Sequence, residues 1–270
     1  MSRSAAPARV SLAGFGAVGT ELARRLAAGV PGLELSAVAA RDHAKARATL
    51  DALGIDVPVV TIAELEPRSD IVVECAPAAL LREIVEPVVR AGKEVVVLSA
   101  GVLLAAPDLV ELAERHGGRI LVPTGALLGL DAVAAAAESR IASVRMTTHK
   151  PTRGLVGAPH LGGDDLSAVE QPTRVFAGDA RGAAEGFPAN LNVAAALALA
   201  ARGAPSVDVE IWADPTVTRN THTIEVSSDV ADFTMTIRNV PSENPKTGRI
   251  TALSVLSLLR KRYAPLSVGS

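Results

Sequence analysis

Aromatic side chains are scarce in this sequence, with one Trp, one Tyr and four Phe in 270 residues. That supply leaves little to stack on nucleobases, and no basic stripe interleaves with it. The net charge of -2 adds no bulk attraction to nucleic acid or to an anionic membrane. Cysteine is nearly absent. Cys75 stands alone and cannot close an internal disulfide, which fits a reducing compartment. Met1 to Arg9 lacks the apolar centre of a secretory signal and reads as a frayed end. Asp, Glu, Arg or Lys interrupts each apolar run before it reaches the length of a spanning helix. The histidines and the cysteine show no metal-ligand spacing, so no metal is expected. Together these absences exclude nucleic-acid and membrane partners and point to a cytoplasmic protein.

What is present is a core-forming composition, 49% hydrophobic and 21% charged, in a chain long enough for one large or two modest domains. The organising stretch is Val10-Ser11-Leu12-Ala13-Gly14-Phe15-Gly16-Ala17-Val18-Gly19, followed by apolar residues at Leu22, Leu26 and Val30. It reads as strand, tight turn and helix around a GxGxxG spacing. Gly14 permits the turn, Gly16 admits a pyrophosphate close to the main chain, and Gly19 lets the helix pack on the strand. Gly14, Phe15, Gly16, Ala17 and Val18 are therefore candidate contacts for a dinucleotide. The helix start also offers unpaired N–H groups to its phosphates.

The alternation of strand and helix continues. Strands are predicted at Leu33 to Ala40, Val57 to Val60, Ile71 to Glu74, Glu94 to Ser99 and Arg119 to Val122, with helices at Ala44 to Leu53, about Ala79 to Ala91 and Pro107 to His116. Runs such as Ile71-Val72-Val73 and Val95-Val96-Val97-Leu98 lack two-fold alternation, as strands covered on both faces do. A doubly wound parallel sheet of the Rossmann type follows. Ligands bind beyond the carboxyl ends of such strands, which places Cys75, Ala76 and Ser99 at the wall of a cofactor cleft. Cys75 reads there as a small lining residue, because no histidine lies near it in sequence. Where the second strand ends, the chain reads Ala39-Ala40-Arg41-Asp42. Asp42 suits a ribose hydroxyl, whereas Arg41 suits a 2′-phosphate or stacks on adenine. A solvated turn explains both equally well, so NAD and NADP stay open.

After Val122 the pattern changes. An alanine-rich helix from Leu130 to Ala137 precedes segments that alternate apolar and polar, at Ser143 to Thr148, Val207 to Ala213, Thr221 to Ser227 and Phe233 to Val240. They predict an antiparallel sheet with one covered face in a second, α+β domain. Arg153 to Gln171 reads as a long loop, and Pro241 to Gly248 as a turn cluster. A last helix carries Ala252, Leu253, Leu256 and Leu259 on one side and is expected to return to the first domain. The expected division is 1–122 with 241–270 for dinucleotide binding, and 123–240 for catalysis and dimerisation.

Two segments of the second domain bear polar residues in unusual settings. Phe187-Pro188-Ala189-Asn190-Leu191-Asn192 precedes an alanine-rich helix, where one asparagine serves as a cap and the other is left for a ligand. Arg219-Asn220-Thr221-His222 places an imidazole in a strand, a setting that is more often structural than catalytic.

With the glycine turn, Pro123-Thr124-Gly125-Ala126, both of these segments and Asn244-Pro245-Lys246-Thr247-Gly248, the chain resembles the L-aspartate dehydrogenase family over nearly its whole length. The resemblance implies NAD(P)-dependent oxidative deamination of L-aspartate through iminoaspartate to oxaloacetate and ammonia, a homodimer, and a link to NAD biosynthesis. It implies that Ala126 and Asn192 contact the nicotinamide cofactor and that His222 is the active-site histidine. Histidine titrates near neutral pH, and proton transfer in deamination calls for such a group. The two carboxylates of a dicarboxylic amino acid call for cationic or amide partners, for which Lys150, Arg219 and Asn192 are candidates. Other readings of the architecture are a relative of dihydrodipicolinate reductase or homoserine dehydrogenase, and an NAD(H)-sensing module without turnover.

Overall fold

The computed structural model describes residues 6–163, 165–188, 192–202, 205–241 and 248–269. Asn190 of the asparagine pair and residues 242–247 of the turn cluster lie outside the described residues. The chain forms two compact units, Met1–Pro123 with Ala252–Ser270, and Thr124–Thr251.

In the first unit β1 (Ala8–Ala13) leads through the glycine turn into α1 (Ala17–Ala27). Then follow β2 (Leu33–Ala39), α2 (His43–Ala52), β3 (Val59–Val60), β4 (Ile71–Glu74), α3 (Leu81–Arg90), β5 (Glu94–Val97), α4 (Ala100–Leu104), α5 (Pro107–His116) and β6 (Arg119–Leu121). The strands pair in parallel in the order β3-β2-β1-β4-β5-β6. Val10, Leu12, Val72, Val73, Val95 and Val96 are buried throughout, as their unbroken apolar runs require. The winding reverses between β1 and β4, whose last residues, Ala13 and Glu74, lie side by side. That reversal is where an open sheet of this kind accepts a ligand.

Two details depart from the sequence reading. The strand expected to reach Ser99 stops at Val97, because the N–H groups of Leu98 and Ser99 turn to the Glu74 carboxylate instead of continuing the ladder. The short helix α4 then follows, unanticipated. The C-terminal helix α9, placed after the second unit in sequence at Ile250–Lys261, does pack into the first unit's core. Its buried side is Ala252, Val255, Leu256 and Leu259, a spacing of one helical face. Leu253, expected on that side, is instead 38% exposed.

The second unit contains α6 (Leu130–Ala136), β7 (Ile141–Lys150), β8 (Thr173–Asp179), α7 (Ala180–Gly186), α8 (Asn192–Ala200), β9 (Val207–Ala213), β10 (Thr221–Ser228) and β11 (Asp232–Arg238). Their sheet has the order β11-β10-β7-β9-β8. It is mixed, not antiparallel as expected: β7 and β9 run parallel. A parallel neighbour needs a crossover, and the segment through α7 and α8 provides it. Strand β8 was not predicted. It is an edge strand with mostly exposed residues, so it shows no alternation of apolar and polar side chains. The loop expected over 153–171 carries three short 3-10 turns, at Thr152–Gly154, Pro159–Leu161 and Leu166–Ala168. No helix among the described residues is long and apolar enough to cross a membrane.

Candidate active site

The glycine turn is built by close approach. Gly14 has φ +114°, and a Cβ there would lie 2.5 Å from the carbonyl oxygen of Cys75. A Cβ on Gly19 would lie 2.2 Å from the carbonyl oxygen of Gly14. Gly16 differs, since a Cβ there would meet nothing within 4 Å. Its side of the turn faces open space, and α1 begins from it with no side-chain cap and no acidic residue in the first turn. Phe15 and Val18, both half-buried, pack their side chains against the core of this unit. Ala17 is exposed at the helix start.

Across the turn, Cys75 donates its thiol hydrogen to the Gly14 carbonyl at 3.2 Å. Burial pushes the thiol far above its ordinary pKa, and the neighbouring Glu74 adds to the shift. A thiol held protonated in this way is a packing group and not a nucleophile. Ser99 is buried, with its hydroxyl donating to Glu74 Oε1 at 3.0 Å and its N–H to Oε2 at 2.8 Å. Leu98 donates its N–H to the same Oε2 at 3.0 Å. Burial raises the pKa of Glu74, and the hydrogen bonds from Ser99, Leu98 and Ala76 oppose that rise. Glu74 thus ties the ends of β4 and β5 together. Sequence reasoning gave it no role, although an acid closing a wholly apolar strand was a usable signal.

At the end of β2, Gly14 donates its N–H to the Ala39 carbonyl at 2.9 Å, which couples this strand end to the glycine turn. Asp42 caps α2 by accepting from the Lys45 N–H at 2.9 Å. Arg41 beside it is exposed.

In the second unit the covered sheet face presents Val144, Met146, Thr148 and Lys150 from β7, and His222, Ile224 and Val226 from β10. It is apolar along most of its length and turns polar at one end, where His222 pairs in register with Thr148. Thr148 Oγ1 and His222 Nδ1 are 3.1 Å apart in a buried hydrogen bond. Lys150 is 1% exposed, and burial brings its pKa down to about 7. Burial, aided by the charge of Lys150, brings that of His222 down to about 3. The imidazole is therefore neutral at physiological pH. The expectation that histidine would be the group titrating near neutrality does not match its surroundings.

His149, one residue from both Thr148 and Lys150, faces the other way. It holds Asp214 at 2.8 Å and stacks on Trp212 at a ring separation of 5.7 Å. His160 packs against Phe176 and Phe187. Asn239, buried and without an assigned role in the sequence reading, donates from Nδ2 to the Ala126 carbonyl at 2.8 Å. Asn192 opens α8 in a half-buried position, and Arg219 is exposed just before β10.

Two sequence profiles match this chain. One, described as the C-terminal domain of aspartate dehydrogenase, covers residues 131–262, and the other, the NAD-binding domain of homoserine dehydrogenase, covers 14–123. The chain is 56% identical over 264 residues to L-aspartate dehydrogenase 3 of Bordetella bronchiseptica, spanning 97% of each. It is equally similar to an L-aspartate dehydrogenase of Bradyrhizobium diazoefficiens, with 97% of this chain and 94% of that one aligned. The chain belongs to the L-aspartate dehydrogenase family. The crystal structure of aspartate dehydrogenase from Thermotoga maritima superposes with a TM-score of 0.74 at 25% identity, covering 97% of this chain and 99% of that one.

As a member of the L-aspartate dehydrogenase family, the chain is an NAD(P)-dependent amino-acid dehydrogenase. The first unit fits that cofactor: the open side of Gly16 and the uncapped start of α1 suit a pyrophosphate. In this L-aspartate dehydrogenase relative, Thr148 and Lys150 stand beside His222, an association hidden in sequence by the 74 positions that separate Thr148 from His222.

Proposed function

We propose that this chain catalyses the reversible NAD(P)-dependent oxidative deamination of L-aspartate, through iminoaspartate, to oxaloacetate and ammonia. The observation that carries the reading is the 56% identity to L-aspartate dehydrogenases over 97% of the chain. It is supported by the buried imidazole of His222, at the position that the family resemblance assigns to the active-site histidine.

In this reading the main chain of Gly14, Phe15, Gly16, Ala17 and Val18 holds the pyrophosphate, with Cys75, Ala76 and Ser99 walling the site. Arg41 and Asp42 meet the adenosine ribose. When bound, the nicotinamide supplies the acceptor for the hydrogen and two electrons of the substrate α-carbon. Ala126 and Asn192 take the family's cofactor contacts, and Asn239 fixes Ala126 by its hydrogen bond. Thr148 occupies Nδ1 of His222, which leaves Nε2 to bond and orient the substrate. Arg219 offers a permanently charged partner for a substrate carboxylate, with Asn192 as an amide partner. The same proposal includes a cytoplasmic homodimer whose imine product feeds NAD biosynthesis.

The test is absorbance of the reduced nicotinamide with purified protein. L-aspartate with NAD or NADP at alkaline pH, or oxaloacetate with ammonia in reverse, is expected to give turnover. Failure in both directions would overturn the assignment. His222→Ala is expected to lower kcat far more than it weakens cofactor binding, and unchanged kcat removes His222 from the reaction. Light scattering is expected to return the mass of two chains; the mass of one chain refutes the dimer.

A further inference from the structure

We propose that this protein selects NADP over NAD, and that Arg41 makes the choice by binding the 2′-phosphate on the adenosine ribose. The inference rests on the reading of the first unit as a dinucleotide site, and it narrows the cofactor that the site takes.

The end of β2 comes first. In an open parallel sheet of this winding the adenosine ribose lies beside that strand end, and selection of NAD there uses an acid. Its carboxylate accepts from the 2′-hydroxyl and repels a phosphate in the same place. Here the Gly14 N–H donates to the Ala39 carbonyl at 2.9 Å, so the end of β2 is tied to the glycine turn. The residues at that end are Ala39 and Ala40. Neither can accept from the hydroxyl or repel the phosphate.

The fold commits most of the charged groups that follow. Asp42 is the first acid after β2, but it is the N-cap of α2, where its Oδ1 accepts from the Lys45 N–H at 2.9 Å. The carboxylate is thereby held against the protein's own helix, whose amide groups and dipole balance its charge. Glu64, shortly after β3, closes a capping box: its Oε2 accepts from the Thr61 N–H and hydroxyl at 2.9 and 2.8 Å. Among the cations, Arg47 holds Asp51 and donates to the carbonyls of Ile55 and Val57. Arg41, two residues past β2, is exposed. The strand end thus presents a guanidinium and keeps its nearest carboxylates engaged with the protein. A guanidinium matches a phosphate with two parallel N–H donors to two of its oxygens. The 2′-hydroxyl of NAD offers the same group one acceptor and no charge, so the difference between the two cofactors falls on this contact.

The test measures binding, without turnover. Titration of the unaltered protein with NADPH and with NADH, followed by nicotinamide fluorescence, is expected to give a Kd at least about tenfold lower for NADPH, a margin that shrinks with added salt. Calorimetry with adenosine 2′,5′-bisphosphate and with 5′-AMP is expected to show the same margin, which locates it in the adenosine half. Arg41→Ala is expected to weaken NADPH about tenfold or more and NADH far less. Ala40→Asp is expected to move the preference toward NADH. Equal Kd values for the two cofactors in the unaltered protein overturn the proposal and leave the dehydrogenase reading standing. Equal losses for both cofactors in an Arg41→Ala protein of unchanged Tm do the same. The titrations of the unaltered protein depend on no variant. An unaltered protein that binds neither dinucleotide overturns both.

Discussion

Lys150 and His222 are buried on one sheet face, and each has its charged form disfavoured by the fold. For Lys150 the unfolded chain binds a proton below pH 10.5, whereas the folded chain does so below about 7. Acidification from 10.5 to 7 therefore costs stability, on the order of a few kcal/mol, and the full cost is present below pH 7. Replacing Lys150 by Met removes this cost while filling similar volume. Thermal unfolding is expected to show a higher Tm for Lys150→Met at pH 6 to 7, with the gain shrinking toward pH 10. A gain that does not depend on pH would show that Lys150 is not buried in its charged form. His222 behaves in the same direction at lower pH, its cost appearing between 6.5 and about 3. Both residues lower stability by placing polar groups on an otherwise apolar sheet face, as functional sites do.

The strand-turn-helix element at the N-terminus contains glycines with separable tasks. Gly19 exists for packing, since a Cβ there would lie 2.2 Å from the Gly14 carbonyl oxygen. Gly16 has no such packing task, since its Cβ position is open and its backbone, at φ -87°, is one that alanine adopts freely, and in the proposed reading it admits the dinucleotide. Gly16→Ala is accordingly expected to keep its unfolding free energy within about 0.5 kcal/mol and to weaken dinucleotide binding severalfold. Gly19→Ala is expected to lose roughly 1–3 kcal/mol, because the backbone must shift to relieve the overlap. Denaturant unfolding together with dinucleotide titration separates the two. Equal loss of stability in both variants would remove the distinction. The neighbouring element pair, β4 and β5, is joined at its ligand end by the Glu74 carboxylate rather than by a further rung of the sheet. A turn held by three donors to one buried carboxylate has few alternative arrangements, which suits the wall of a binding site.

At the scale of the molecule, the first unit is discontinuous in sequence. Its core contains Ala252, Val255, Leu256 and Leu259 of α9 together with Val10, Leu12, Leu22 and Leu26 from the chain's beginning. The first unit is therefore not complete until the last helix is made. Val255 has no exposed surface. Val255→Asp is expected to cost on the order of 3 kcal/mol or more, because an unpaired carboxylate enters an apolar core. It is also expected to reduce dinucleotide binding, although Val255 lies far along the chain from the glycine turn. Calorimetry and cofactor titration test this, and an unchanged Tm would mean that α9 does not contribute to this core. The second unit is continuous, Thr124–Thr251, with its mixed sheet assembled through the crossover by α7 and α8.

Local pattern was sufficient for the features whose cause is local. The glycine spacing, the unbroken apolar strands of the parallel sheet and the apolar face of α9 are each set by backbone sterics and side-chain periodicity within about a dozen residues. The family resemblance is likewise carried by short segments, and the roles it implies for His222, Ala126 and Asn192 are part of the proposed reading. What the sequence left undetermined depends on groups that meet from distant positions. The parallel pairing of β7 with β9 depends on a crossover, and the edge strand β8 has too little burial to leave a pattern. Glu74 acquires its role through donors 24 and 25 residues away. The protonation of Lys150 and His222 is the clearest case, since the cost of a charge depends on what surrounds it, and those surroundings exist only once the sheet has closed over them.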